Sequence, residues 1–134
     1  MPLWLSYLAK SCADQGQIDD AWRHMDEALK TIETSKERLF AAEVNRTAGD
    51  IALLGPEPDI SGAETHFAQA LAIARGQQAR SWELRAATSL ARLWLDGGER
   101  KKARELLLPA YNWFTEGFRT GDLQEAKTLV EQLR

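Results

Sequence analysis

The chain has 134 residues, enough for one domain whose core hides roughly two-thirds of the unfolded surface without staples. Its single cysteine, Cys12, excludes an internal disulfide and a cysteine-built zinc site. Seventeen basic against twenty acidic side chains leave a net charge of −3, unlike a general nucleic-acid binder, and 44% hydrophobic residues with five tryptophans argue against disorder.

No apolar run approaches the ~18 residues of a membrane helix. The opening segment lacks the basic region and cleavage site of a signal peptide. A cytoplasmic domain with neither nucleic acid nor membrane as partner is the expectation. Alternating Val, Ile and Thr runs are missing, while Ala, Leu, Glu, Arg, Gln and Lys dominate. The reading is therefore all-α.

In chain order, helices are expected at about 2–14, 18–33, 36–54, 61–76, 80–96, 100–117 and 122–133. Pro2 suits a first helical turn. Thr34 with Glu37, Ser61 with Glu64, and Asp122 with Glu125 read as capping boxes. Gly16, Gly55-Pro56-Glu57-Pro58 and Gly97-Gly98 mark the turns inside three successive helix pairs, spanning about 2–33, 36–76 and 80–117. Pro109 should kink its helix near Glu105 and let Tyr111, Trp113 and Phe114 fold over the terminal helix. That last helix gathers Leu123, Ala126, Leu129, Val130 and Leu133 on one face, as a cap would.

The pairs repeat. Ala21, Ala63 and Ala103 form a column of small residues, and Ala28, Ala70 and Ala110 a second one seven positions on. Met25, Phe67 and Leu107 form a large apolar column between them, and Ala9, Gly49 and Ala91 a third small column on the preceding helices. Antiparallel helices approach closely only where facing side chains are small and larger neighbours fill the gap. One pair cannot bury its whole apolar face, so neighbouring pairs must stack.

These columns resemble the tetratricopeptide repeat (TPR), with a small residue on the first helix and small–large–small on the second. The repeat spacing of about 40–42 residues exceeds the ~34 of the common repeat, and the proline after the second helix is missing, as in longer-helix variants. The resemblance implies a right-handed α-α superhelix, a TPR-like solenoid of three helix pairs plus a C-terminal capping helix, in a single domain over 1–134. Stretches 43–49, 78–87 and 111–118 further resemble the C-terminal repeats of bacterial regulators that carry a class III adenylate/guanylate cyclase or transcriptional activator domain with an ATPase module. This implies a non-catalytic regulatory segment of a larger cyclase-related signalling protein.

Chemistry is sparse. No phosphate loop, HExxH or GxSxG motif is present, so neither catalytic residues nor a cofactor or metal is expected. Cys12 reads as a small buried hydrophobe, and His24 and His66, at equivalent repeat positions, as solvated surface residues. The tryptophans read as packing between repeats. The basic run Glu99-Arg100-Lys101-Lys102-Ala103-Arg104 reads as a solvated helix start.

In stacked pairs the first helices line a concave groove. Ser6, Tyr7 and Lys10, then Glu43, Arg46, Thr47 and Asp50, then Arg85, Thr88, Ser89 and Arg92 are placed there, with Tyr7, Lys10, Arg46, Asp50, Arg85, Ser89 and Arg92 as the partner-binding set. Arg46 is expected to pair with Asp50, and Arg92 to reach Asp50. Either these charges form an internal ladder, or Arg46, Arg85 and Arg92 grip an acidic group of a protein or peptide. On the second view, Arg46→Glu with Arg92→Glu abolishes capture and leaves the Tm nearly unchanged. Two rival functions are a small-molecule effector sensor around Tyr7, Arg46 and Arg92, tested by ligand-induced thermal shifts, and a homodimer through an N-terminal edge of Leu3, Trp4 and Leu8, tested by light scattering of Trp4→Glu.

Overall fold

The computed structural model describes residues 2–34, 41–54, 56–114 and 121–133, without the side chains of 2–4 and 32–34. Among them all regular structure is helical: α1 (Pro2–Asp14), α2 (Ile18–Thr34), α3 (Ala41–Leu53), α4 (Ile60–Gly76), α5 (Arg80–Asp96), α6 (Arg100–Asn112) and α7 (Gly121–Leu133). The expected all-α class and seven helices are met. The Thr34–Glu37 box, the stretch 36–40 and the Leu3–Trp4 edge lie outside the described residues or side chains.

Three turns share one backbone design. Gln17 N–H donates to the Cys12 carbonyl at 2.9 Å, Ala79 N–H to Ala74 at 2.9 Å and Glu99 N–H to Trp94 at 2.8 Å, the long-range bond of a Schellman ending. Each such ending needs one left-handed residue, supplied by Gly16 (φ 81°), Gln78 (φ 55°) and Gly98 (φ 85°). The turn between α4 and α5 thus repeats the geometry of the two glycine-marked turns without a glycine at that place.

Two capping assignments are corrected. Asp59, not Ser61, caps α4: its Oδ1 accepts from Gly62 N–H at 2.9 Å, and Ser61 lies inside the helix. Asp122 likewise lies within α7 and faces Arg85 at 3.4 Å, while Glu125 faces Arg92 at 2.7 Å. Helix α6 ends at Asn112, short of the expected 117, with Pro109 inside it. Trp113 then stands under the guanidinium of Arg80, 4.9 Å from its ring centroid, and edge-on to Phe114 at 5.1 Å, while Tyr111 and Phe114 pack against the core cluster that includes the apolar face of α7.

Each helix packs on the next through α6, with α7 closing on α6; in addition α1 packs on α3, α3 on α5 and α5 on α7. The odd-numbered helices therefore stand side by side. All nine residues of the three small columns are buried, as are Met25, Phe67 and Leu107. One core cluster joins α1–α3 around Met25 and Ile51, and a second runs from Ala52 to Leu133 around Phe67, Leu90 and Leu107. Trp22 packs against both. Trp94 ties three helices together: its Nε1–H donates to Glu64 of α4 at 3.2 Å, and the Lys102 ammonium of α6 sits 4.2 Å from its ring.

Candidate functional site

The row of odd helices carries the charges picked out from the sequence. At its centre the Glu43 carboxylate is buried, 2% exposed, and receives two arginines. Arg46 Nη2 and Nε donate to its two oxygens at 2.6 and 3.1 Å, and Arg85 Nη1 of α5 reaches Oε1 at 2.8 Å. Arg46 also donates to Asp50 at 3.1 Å, the pairing expected from their spacing. Arg85 continues to Asp122, and Arg92 meets Glu125. The ladder thus runs α3–α5–α7, and the ion pair of Arg92 is with Glu125 of the last helix rather than with Asp50. Lys10 is held by Asp14 at 3.0 Å.

Burial acts on two members in opposite ways. For Arg46 burial would favour the neutral form, but the hydrogen bonds and charge of Glu43, with Asp50 behind, outweigh it and hold the pKa above the ordinary value. For Asp50 burial dominates the attraction of Arg46 and Lys10, and the carboxyl sits above its ordinary pKa.

Not every residue assigned to the groove lines an open surface. Ser6, Glu43, Thr47 and Thr88 are buried between helices. The Thr47 and Thr88 hydroxyls donate to the carbonyls of Glu43 and Leu84 on their own helices, at 2.9 and 2.7 Å. Tyr7 is exposed at 49%, and Ser89 is half-buried. Because Arg46 braces a buried carboxylate, Arg46→Glu would set a third carboxylate beside Glu43 and Asp50. Arg46→Glu with Arg92→Glu is therefore expected to lower the Tm rather than leave it unchanged.

Two cavities open on this face and differ in character. The space over the ladder, between Arg46, Arg85, Ser89, Asp122 and Glu125, is about 50 Å³, room for little more than a water. Beside it a cavity of about 480 Å³ lies at the C-terminal ends of α3 and α5. Leu53, Phe67 and Leu93 give it apolar walls, Ile60 stands at its edge 52% exposed, and Asp50, Asp96 and Arg92 bring charge. Asp50, Ser89 and Arg92 of the expected set meet here, whereas Tyr7, Lys10 and Arg85 do not line it. Sequence reading missed Leu53, Ile60 and Asp96, because the loop after α3 brings Pro58 and Ile60 to the end of α5 only in three dimensions.

Cys12 is half-buried against the first cluster. His66 is a correction: its Nδ1 is buried with no partner among the described residues, and the ring lies 6.2 Å from that of Trp22. Desolvation, opposed by Asp59, holds its pKa below the ordinary 6.5. The basic run is the exposed start of α6, as expected, and within it Arg100 donates to the carbonyls of Gln132 and Leu133 at 2.6 and 3.4 Å and so closes the C-terminal end of α7. No described helix is long and apolar enough to cross a membrane.

No protein-family model matches the chain, and no curated protein or solved structure matches it.

Proposed function

We propose that the chain is a TPR-like helical-repeat module that binds another protein along the face formed by α1, α3, α5 and α7, without catalysing a reaction itself. The observation that supports this most is the cavity of about 480 Å³ on that face, beside an ion ladder that crosses three helices. A framework braced in this way presents a fixed surface, and preorganisation lowers the cost of binding. The superhelical arrangement is inferred from the repeated columns together with the side-by-side odd helices. A regulatory role in a cyclase-related signalling protein of the bacterial cytoplasm rests on the sequence resemblance alone.

Site-specific photo-cross-linking tests the reading. A benzophenone side chain at Ser89, on the odd-helix face, should give a discrete higher-mass adduct in cells that express the chain naturally. The same group at exposed Glu27 of α2 should give none. Adducts from Glu27 alone, or from neither position, would remove this face as the binding surface.

A further inference from the structure

The charges on the odd-helix face favour one kind of partner. Each of its cations, Lys10, Arg46, Arg85 and Arg92, already lies within ion-pair distance of a carboxylate of this chain. An incoming acidic group would have to displace those partners, and at Arg46 and Arg85 it would have to do so in a space of about 50 Å³. Acidic charge is in surplus at the larger cavity. Asp96 is exposed and has no ionic or hydrogen-bonding partner among the described residues, and Asp50 shares Arg46 with Glu43. Apolar walls with a half-exposed isoleucine at the edge give a large side chain somewhere to go.

We propose that this cavity takes an aromatic or long aliphatic side chain of a partner segment, and that lysine or arginine flanking it lies against Asp96 and Asp50. The inference rests on the protein-binding reading and reverses its expected charge: the recognised segment is basic and apolar, not acidic. Leu53 and Ile60, the more exposed apolar residues of its lining, supply contact area for the anchor over the buried Phe67 and Leu93. The two carboxylates select the flanks, because a like charge set against them costs affinity.

The test uses the full chain and three fluorescein-labelled octapeptide pools, degenerate except for a central Lys-Phe-Lys, Glu-Phe-Glu or Lys-Ala-Lys, read by fluorescence anisotropy. The Lys-Phe-Lys pool should bind at least about tenfold more tightly than either other pool. Asp96→Lys, at an exposed and unpartnered position, should remove that preference with the Tm unchanged. Ser89→Trp, which fills the cavity from α5, should weaken Lys-Phe-Lys binding while the far-ultraviolet circular dichroism stays helical. A preference for Glu-Phe-Glu would overturn the inference and leave the protein-binding reading standing. Equal binding of Lys-Phe-Lys by the parent chain and both variants would also overturn it. Binding of no pool would do the same, and the cross-linking experiment would then decide the broader reading by itself.

Discussion

The ring of Phe67 on α4 occupies the space that a side chain at position 49 of α3 would need. A Cβ built on Gly49 would fall 2.6 Å from Cδ1 and 3.0 Å from Cζ of that ring, closer than real carbon contacts allow. Gly49→Ala gains about 1 kcal/mol of helix propensity but must displace a fully packed ring, and overpacking costs about 1–3 kcal/mol. The expected net is a loss of up to about 2 kcal/mol in urea denaturation. Gly49→Ala combined with Phe67→Leu should destabilise by less than the two single changes added, since leucine vacates part of the ring's space. Strict additivity would show that the two positions do not compete.

The two ends of the ion ladder should differ in energetic weight. Arg46 is mostly buried and meets a buried carboxylate, whereas Arg92 and Glu125 are both about half exposed. Arg46→Met should cost about 2–3 kcal/mol, at the lower edge for removing one partner of a buried pair, because Arg85 still reaches Glu43. Arg92→Met should change stability by no more than about 0.5 kcal/mol. Equal losses for the two variants would mean that burial of Glu43 does not set the energetics.

His66 gives the fold a pH dependence of known sign. Its folded pKa lies below the 6.5 of the free side chain, so over the interval beneath 6.5 the unfolded chain binds more protons than the folded one. Stability is fully present above 6.5 and declines as the pH falls through 6.5 toward the folded value. His66→Gln, which cannot titrate, should lose less stability than the parent between pH 8 and pH 5 in matched urea titrations. Identical losses would mean that burial does not lower the pKa of the imidazole.

Gln78 holds a left-handed backbone position that glycine fills in the two sister turns. A non-glycine residue there costs roughly 1–2 kcal/mol of local strain, against which glycine adds about 0.5–1 kcal/mol of unfolded-state entropy. Gln78→Gly should therefore raise stability by up to about 1 kcal/mol, seen as a higher urea midpoint with the same m-value. The reverse change, Gly98→Gln, should lower it. A fall in stability for Gln78→Gly would show that the glutamine side chain contributes more than its backbone costs.

The four columns were legible in the sequence because helix pairing makes a local demand. Wherever two helices touch, a small residue must recur at a fixed offset, and Ala9, Gly49, Ala63 and Ala103 all meet it in the buried interior. The pairing of Arg46 with Asp50 was legible for the same reason, since residues four apart share a helix face. The histidines show where such reasoning stops. His24 and His66 hold equivalent repeat positions, yet nothing in that position tells that His66 Nδ1 is buried, with its ring 6.2 Å from that of Trp22.

The candidate site was less legible than the fold. Its polar members Asp50, Ser89 and Arg92 follow from helical spacing, but Leu53, Ile60, Phe67 and Asp96 come from three helices and share no sequence period. Arg92 could be placed on the face but not given its partner, because Glu125 lies on a helix that returns only after α6 has run its course. Local periodicity is a property of one helix and its immediate pair, so sequence alone determined the helices, their small-residue seams and the face that carries the charge. Which charges neutralise one another, and where an open apolar cavity remains, depend on contacts between residues far apart in the chain, and only packing α3, α5 and α7 side by side settled them.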